Sequence, residues 1–213
     1  DQRTGLNLNP DKSYKIKANF NLSFELAFMQ DKQDYFGYIL RVIANDSLNF
    51  DLMYDMAKKR ISLIAGESSK IVSVPIKISD LSSYKNIVLR FNKDQGIIIL
   101  KIDGEQYTLN AESLKENHRW KFLFGINHNG KFETTDLPSM LIRNISLTVN
   151  GQKKHEWLLN NQVGNWVKDE IGNYDAYVEN PDWLYNNHDT WVLEKEFSFD
   201  SYTPFVQKGN SDT

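Results

Sequence analysis

The sequence of 213 residues contains no cysteine and no long hydrophobic run. Without cysteine, disulfide bonds, thiolate nucleophiles and zinc sites built from thiolates are excluded. No apolar stretch approaches the roughly twenty residues of a membrane-spanning helix, and no signal-peptide pattern is present. We therefore expect no membrane span.

An excess of positive charge is also lacking. The 25 Lys and Arg residues stand against 28 Asp and Glu, for a formal net charge of −3. A protein that mainly binds nucleic acid needs a basic stripe to neutralise phosphates. The densest basic cluster, residues 58–60, is interpreted as a solvated turn. We therefore expect no nucleic-acid partner.

Common catalytic patterns are missing as well. There is no Gly-x-Ser-x-Gly motif for a hydrolase serine, and no His-x-His or His-Glu-x-x-His spacing for zinc. Laminarinases and lichenases place their acids on one strand face as Glu-x-Asp-x-x-Glu, since a glycosidase needs two carboxylates across the bond it cleaves. Here Glu25 stands alone, and Asp51 has no glutamate partner. These absences predict that the chain is not an enzyme and has no catalytic residues.

The sequence does contain a long stretch in which apolar and polar residues alternate. Every even-numbered position from Tyr14 to Phe28 is apolar, and most odd positions are polar. A period of two places the apolar side chains on one side only if the backbone is extended. Strands with one buried and one solvated face belong to large antiparallel sheets. The stretch therefore predicts a long strand of a sandwich or barrel.

Further segments have the same character. Strands are predicted at residues 35–44, 48–54, 61–65, 71–78, 86–92, 96–102, 105–109, 120–126 and 139–149. Asp103-Gly104 is a two-residue turn of the kind that joins antiparallel strands, and Asn150-Gly151 has the same character. Whether the chain after Asn150-Gly151 pairs back along the sheet stays open at this stage. Helical periodicity is nowhere sustained. The predicted fold class is all-β, with antiparallel sheets packed as a sandwich.

The last quarter of the chain differs in composition. Residues 155–191 carry four of the five tryptophans, many Asn and Asp, and few β-branched residues. This segment is too short and too polar to bury a core of its own, so we expect an irregular wrap held to the sandwich by aromatic anchors. The predicted organisation is one domain over residues 1–199, including this wrap, followed by a tail or linker start at 200–213.

Two pairs of segments resemble a known fold. Residues 35–42 (YFGYILRV) followed by 49–54 (NFDLMY) resemble the central hairpin of concanavalin A-like and laminin G-like lectin sandwiches. Residues 124–126 (FGI) leading to 140–147 (MLIRNISL) resemble the late strands of the same fold. The resemblance implies a two-sheet jelly-roll sandwich that binds glycan or protein.

The tail resembles a variant of this module from surface and periplasmic proteins of Bacteroidetes. The matching segments are HEWLL at 155–159, NPDWL at 180–184 and HDTW at 188–191. In that variant the module precedes a kelch-type β-propeller, so we expect a downstream propeller in a longer chain. The resemblance also implies a periplasmic, cell-surface or secreted location, and the lack of cysteine favours a bacterial origin.

The resemblance implies a non-catalytic binding or structural module, with carbohydrate as the expected ligand. Two alternatives stay open at this stage. One is a glycoside hydrolase with an atypical carboxylate pair. The other is a protein-interaction or spacer module with no small ligand, because a fold does not carry a function with it.

Exposed aromatic rings beside amide and acid groups are typical of sugar sites, since sugar C–H faces stack on the rings. The residues with this setting are Trp166, Tyr174, Tyr177, Trp183 and Tyr185. They are the predicted carbohydrate-binding residues. The alternative is that they anchor the wrap, because buried Trp and Tyr contribute strongly to packing. Trp120 and Trp157 are predicted to lie in the core.

No cofactor is required by the sequence, and calcium is the one candidate. Laminin G-like modules often hold Ca²⁺ at the rim, and Asn and Asp oxygens suit this ion. Asn45 and Asp46 follow one predicted strand, Asn127 follows a later one, and Asp136 lies in the next loop. These four residues are the predicted calcium ligands, expected to converge at one edge. The alternative is that these residues simply make turns.

Overall fold

The computed structural model describes residues 3–29, 36–66, 70–76, 83–116, 118–160 and 163–183. The chain divides into two units, Asp1–Trp183 and Leu184–Thr213, and all described residues belong to the first. The predicted features at Tyr185 and beyond therefore lie outside the described residues. Within the described ranges, no helix is long and apolar enough to cross a membrane.

The described residues form antiparallel strands. In chain order these are β1 (Gly5–Asn7), β2 (Tyr14–Ile16), β3 (Phe20–Phe28), β4 (Phe36–Ala44), β5 (Leu48–Asp55), β6 (Arg60–Ala65), β7 (Ile71–Pro75), β8 (Lys85–Asn92), β9 (Ile97–Ile102), β10 (Glu105–Asn110), β11 (His118–Gly125), β12 (Met140–Val149), β13 (Gln152–Trp157), β14 (Trp166–Val167) and β15 (Ala176–Glu179). Short 3₁₀ helices lie at Glu112–Lys115 and Gly130–Phe132.

The strands form two sheets. The first sheet has the order β14-β15-β1-β11-β4-β5-β6-β7, with β2 also pairing with β11. The second sheet has the order β10-β9-β8-β3-β12-β13. The predicted fold class is confirmed: the domain is an antiparallel two-sheet jelly-roll sandwich.

The core lies between the sheets and is rich in aromatic rings. Phe20 of the second sheet stacks on its neighbour Phe91 at 4.5 Å and meets Trp120 of the first sheet edge-on at 4.8 Å. Trp120 and Trp157 are both fully buried, as predicted. Such edge-on and stacked pairs add to the stability gained by burying the rings.

The alternating stretch from Tyr14 to Phe28 forms two strands and not the single long strand predicted. β2 belongs to the first sheet and β3 to the second, with the chain crossing between them near Asn19. The period of two persists because both strands face the same core from opposite sides. The crossing is fixed by the Asn19 side chain, whose Oδ1 accepts the Lys93 backbone N–H at 2.8 Å.

Both predicted two-residue turns are present. Asp103 and Gly104 have φ of 49° and 93°, and Asn150 and Gly151 have φ of 49° and 77°. Positive φ at both positions joins strands with the right twist for a tight hairpin. The second turn pairs β12 with β13, so the chain does return along the sheet.

The wrap contributes short strands to both sheets. β13 extends the second sheet, while β14 and β15 extend the first, with irregular segments between them. A buried carboxylate holds these pieces together. Asp169 is 2% exposed and accepts backbone N–H groups from Glu156 (3.0 Å), Gly172 (2.9 Å) and Tyr174 (3.2 Å).

The same carboxylate binds a stacked imidazole. His155 Nδ1 lies 2.5 Å from Asp169 Oδ2, and the His155 ring stacks between Trp157 (5.6 Å) and Tyr174 (5.0 Å). A Cβ at Gly172 would lie 2.3 Å from His155 Nδ1, so only glycine fits beside this pair. Asp169 thus ties the irregular part of the wrap at residues 169–174 to β13 through side chain and backbone together.

Candidate functional site

The register of the first sheet defines a row of side chains across its outer face. Directly opposed residues of antiparallel strands point to the same face. Successive partners in this row are Trp166, Tyr177, Asn7, Leu123, Arg41 and Asp51, from β14 to β5. Their chain neighbours, such as Val178, Leu6 and Phe122, belong to the core. The row therefore faces away from the core.

The middle of this row is covered by the chain that follows β11. We call residues 126–137 the covering segment. Phe132 of this segment packs on Ile43 and Leu123 of the sheet, and its carbonyl accepts a hydrogen bond from Arg41 Nη1 at 2.8 Å. A Cβ at Gly37 would lie 2.5 Å from Leu137 Cα, so glycine is needed for this close approach.

A buried ion pair supports the covering segment. The Arg41 guanidinium binds Asp51 through two hydrogen bonds of 2.7 Å, and Asn49 Nδ2 donates to the same carboxylate at 2.8 Å. The guanidinium also lies 4.4 Å from the centre of the Tyr38 ring. This two-point geometry is the strongest form of a charge-assisted hydrogen bond.

A groove of about 230 Å³ lies between the covering segment and β15. Its floor is β1 with Gly5 and Asn7, and its walls are residues 126–129 on one side and Tyr177 with Glu179 on the other. A Cβ at Gly5 would lie 2.3 Å from the Ile126 carbonyl oxygen. Glycine at this position lets the wall stand directly against the floor.

One end of the groove carries a polar cluster. His128 Nδ1 lies 3.1 Å from Glu133 Oε1, and His128 Nε2 lies 3.4 Å from Glu179 Oε1. The three side chains are about half exposed. His128 therefore bridges the two walls, and the cluster offers both donors and acceptors to a ligand.

An aromatic shelf borders the groove. Trp166 is 53% exposed and Tyr177 is 36% exposed, and their rings meet edge-on at 5.1 Å. Tyr177 also lines the groove, and ligand sites typically combine aromatic rings with a few polar groups. Both residues are predicted sugar-binding residues, and the sheet brings them together.

The other predicted sugar-binding residues lie elsewhere. Tyr174 stacks on His155 within the wrap, and its carbonyl accepts the Trp157 indole N–H at 2.8 Å. Trp183 donates its indole N–H to the Gly164 carbonyl at 2.9 Å and packs against the core. Tyr185 lies outside the described residues. The contacts of Tyr174 and Trp183 are those of anchors.

The predicted calcium ligands are not brought to one point. Asn45 and Asp46 follow β4, whereas Asn127 follows β11, which runs antiparallel to β4. Antiparallel pairing puts the ends of these strands at opposite sides of the sheet. Among the residues that the structure describes, no group of three His, Cys, Asp or Glu side chains is placed to hold a metal ion.

Each predicted calcium ligand has a hydrogen-bond or ion-pair partner within the protein. Asn45 Oδ1 accepts the Arg119 backbone N–H at 2.6 Å, and Asp46 binds the Lys121 ammonium at 2.9 Å. The Asn127 side chain donates to Thr134 Oγ1 at 2.6 Å. Asp136 is exposed and accepts the Tyr38 N–H through its carbonyl at 2.9 Å.

Sequence reasoning did not select Asn7, His128 or Glu179 for this site. His128 lies in a loop, where Asn129-Gly130 follow it, and its side chain is about half exposed. The groove arises because β1 pairs with β11 and with β15, more than a hundred residues further along the chain. No local sequence pattern indicates that β1 pairs with β11 and β15.

No protein-family model matches the chain, and no curated protein matches it. Solved structures with a similar fold include alginate lyase A1-II′, with 8% identity, 67% of this chain covered, 66% of that chain covered, and a TM-score of 0.46. Domains LG4-5 of the mouse laminin α1 chain share 12% identity, with coverage of 71% and 43% and a TM-score of 0.48.

A pentraxin from Limulus polyphemus is similar as well, with 13% identity, coverage of 71% and 80%, and a TM-score of 0.47. This chain spans about two thirds of the length of the alginate lyase. These proteins are jelly-roll sandwiches, and the likeness to them is one of fold alone. The Bacteroidetes variant and its propeller stay predictions.

The comparison corrects one prediction. The sequence predicts that the chain is not an enzyme, because it lacks the carboxylate pattern of laminarinases and lichenases. Family 7 alginate lyases stand among the proteins with this fold, and they contradict that expectation. Absence of a Glu-x-Asp-x-x-Glu motif excludes one kind of glycosidase and does not exclude catalysis on this scaffold.

Proposed function

We propose that this domain binds carbohydrate at the groove and aromatic shelf on the outer face of the first sheet. The observation that carries the proposal is the exposed pair Trp166 and Tyr177 beside a groove lined by Asn7, His128 and Glu179. Sugar rings present apolar C–H faces and polar hydroxyl edges. A site with aromatic rings and a few polar side chains matches both.

The charges around the groove favour a neutral glycan as the ligand. The described residues that line the groove include the Glu179 carboxylate and no lysine or arginine. The nearby Lys121 ammonium is held by Asp46 at 2.9 Å and by Asn129 Oδ1 at 3.1 Å. An acidic sugar would meet a like charge without a cationic partner, whereas hydroxyl groups can donate to Glu179.

Truncating the shelf is expected to remove most of the binding energy. Trp166→Ala and Tyr177→Ala should each weaken binding at least about thirtyfold, because aromatic anchors at the centre of a site contribute about 2 kcal/mol or more. Titration calorimetry with cellohexaose, laminarihexaose and mannohexaose measures this, with an alginate hexamer as the acidic probe.

Tyr84→Ala is the matched control. Tyr84 is 37% exposed, close to the value for Tyr177, and precedes β8 of the other sheet. The control should bind like the unaltered protein. If no neutral glycan binds, or if Tyr84→Ala weakens binding as much as Trp166→Ala, the proposed site is wrong. A domain that binds only protein ligands would give the first of these results.

A second candidate function is cleavage of the bound glycan. The specific observation is His128 lying between Glu133 and Glu179 at the end of the groove. An imidazole with carboxylates on both sides is suited to general acid or base catalysis. Under this alternative, prolonged incubation of the same hexasaccharides yields shorter products, and His128→Gln stops their formation while binding persists.

A further inference from the structure

We propose that the groove recognises the end of a glycan chain and not an internal stretch. This inference rests on the function proposed above and adds which part of the glycan is bound. It follows from the way in which the site is closed. A chain can lie across the strands or along them, and the described residues obstruct it in each direction.

Across the strands, the covering segment forms a wall. A ligand that starts on Trp166 at the sheet edge passes Tyr177 and then Asn7 before it reaches β11. Three strand spacings separate β14 from β11, which is about 14 Å. Beyond that point Phe132 lies on Leu123, and its carbonyl holds Arg41 of β4.

The covering segment, which forms this wall, is held in place by hydrogen bonds between its own residues. Asn127 and Thr134 exchange two backbone hydrogen bonds of 3.0 Å, and Asn127 Nδ2 donates to Thr134 Oγ1 at 2.6 Å. Thr134 Oγ1 in turn donates to the Gly125 carbonyl at 3.1 Å. Both side chains are buried. A wall with its polar groups satisfied internally does not need to open to be stable.

Along the strands, the His128–Glu179 contact closes one end of the groove. Glu179, Gly5 and Gly125 are successive partners across the sheet, so Glu179 and the start of the wall stand on either side of Gly5. The 3.4 Å contact between His128 and Glu179 spans the glycine between them. A glycan chain lying on β1 ends at this contact.

The closed end suits the chemistry of a terminal sugar. A terminal unit carries a hydroxyl group where an internal unit carries a glycosidic linkage. A free hydroxyl both donates and accepts hydrogen bonds, whereas a linkage oxygen only accepts. The Glu179 carboxylate is an acceptor and cannot bind a linkage oxygen directly. Glu179 and His128 would therefore select the chain terminus.

The test uses glycans whose ends are blocked. Hexasaccharides of the three neutral series are prepared with the non-reducing end capped by methylation, or with the reducing end converted to an alditol. Calorimetry is then run with the trisaccharide, the hexasaccharide and the linear polymer of each series. We expect one of the two modifications to abolish binding, and one protein molecule to bind per glycan chain at every length.

Glu179→Gln keeps the shape of the side chain and removes its charge, and it should weaken binding of the unmodified hexasaccharide at least about tenfold. Tyr84→Ala should bind normally. Binding of both end-modified forms, or a number of bound proteins that rises with polymer length, would overturn end recognition while leaving the proposed function intact. No binding of any unmodified neutral glycan would overturn both.

Discussion

Replacing Asp169 with alanine is expected to lower the free energy of unfolding by about 3–5 kcal/mol. The substitution leaves His155 and the backbone N–H groups of Glu156, Gly172 and Tyr174 without their shared acceptor. Buried donors that lose a partner each carry a desolvation penalty. Chemical denaturation followed by circular dichroism measures the change.

Asp182→Ala is the control for this experiment, because it removes an exposed carboxylate from the same part of the chain. It should change the free energy of unfolding by less than about 0.5 kcal/mol. A loss below about 1 kcal/mol for Asp169→Ala would show that the carboxylate does not hold the wrap.

The Asp169 carboxyl also makes the stability of the fold depend on pH. Burial alone raises the pKa of Asp169, but the hydrogen bonds from His155 and the backbone N–H groups outweigh it and hold the pKa below its usual range. A carboxyl whose pKa is lower in the folded state stabilises the fold above its unfolded pKa of about 3.9. The advantage of the native protein over Asp169→Asn should therefore shrink as the pH falls below about 4.

Breaking the buried pair beneath the covering segment should have an effect of similar size. Arg41→Met leaves the charged Asp51 carboxylate buried, with the Asn49 amide as its remaining side-chain donor. We expect the free energy of unfolding to fall by about 3–5 kcal/mol. The double variant Arg41→Met with Asp51→Leu removes both charges. Apolar replacement of both partners is often nearly neutral, so the double variant should be more stable than Arg41→Met.

Chemical denaturation gives the free energies of unfolding of Arg41→Met and of the double variant, and their difference isolates the effect of the unpaired Asp51 charge. The Phe132 carbonyl loses its hydrogen bond from Arg41 in both variants, so that loss cancels in the comparison. Equal stability of the double variant and Arg41→Met would contradict the view that the unpaired Asp51 charge causes the loss.

Much of the fold could be predicted because its signals are local. Alternation along β3, β5 and β8 and the turn at Asp103-Gly104 depend only on neighbouring residues. The division of residues 14–28 into β2 and β3 could not be predicted. Alternation reports which side is buried, and a strand that crosses between sheets keeps the same buried side.

The candidate site was predictable only in part. Trp166 and Tyr177 were selected by residue type in an Asn- and Asp-rich segment. Tyr174 shares that setting but stacks on His155, and its backbone N–H donates to the buried Asp169 carboxylate. The polar side of the groove depends on the pairing of Asn7 with Tyr177, a distance of 170 residues that no local pattern encodes.

The central claim is that Trp166 contacts a glycan, and the indole N–H signals in a nitrogen–proton NMR spectrum test it most directly. The Trp120, Trp157 and Trp183 indoles donate to Ile16, Tyr174 and Gly164 carbonyls. On addition of cellohexaose, laminarihexaose or mannohexaose, the signal that disappears in Trp166→Phe should shift, while the Trp120 and Trp157 signals stay in place. An unchanged Trp166 signal with all three sugars at saturating concentration would contradict the account.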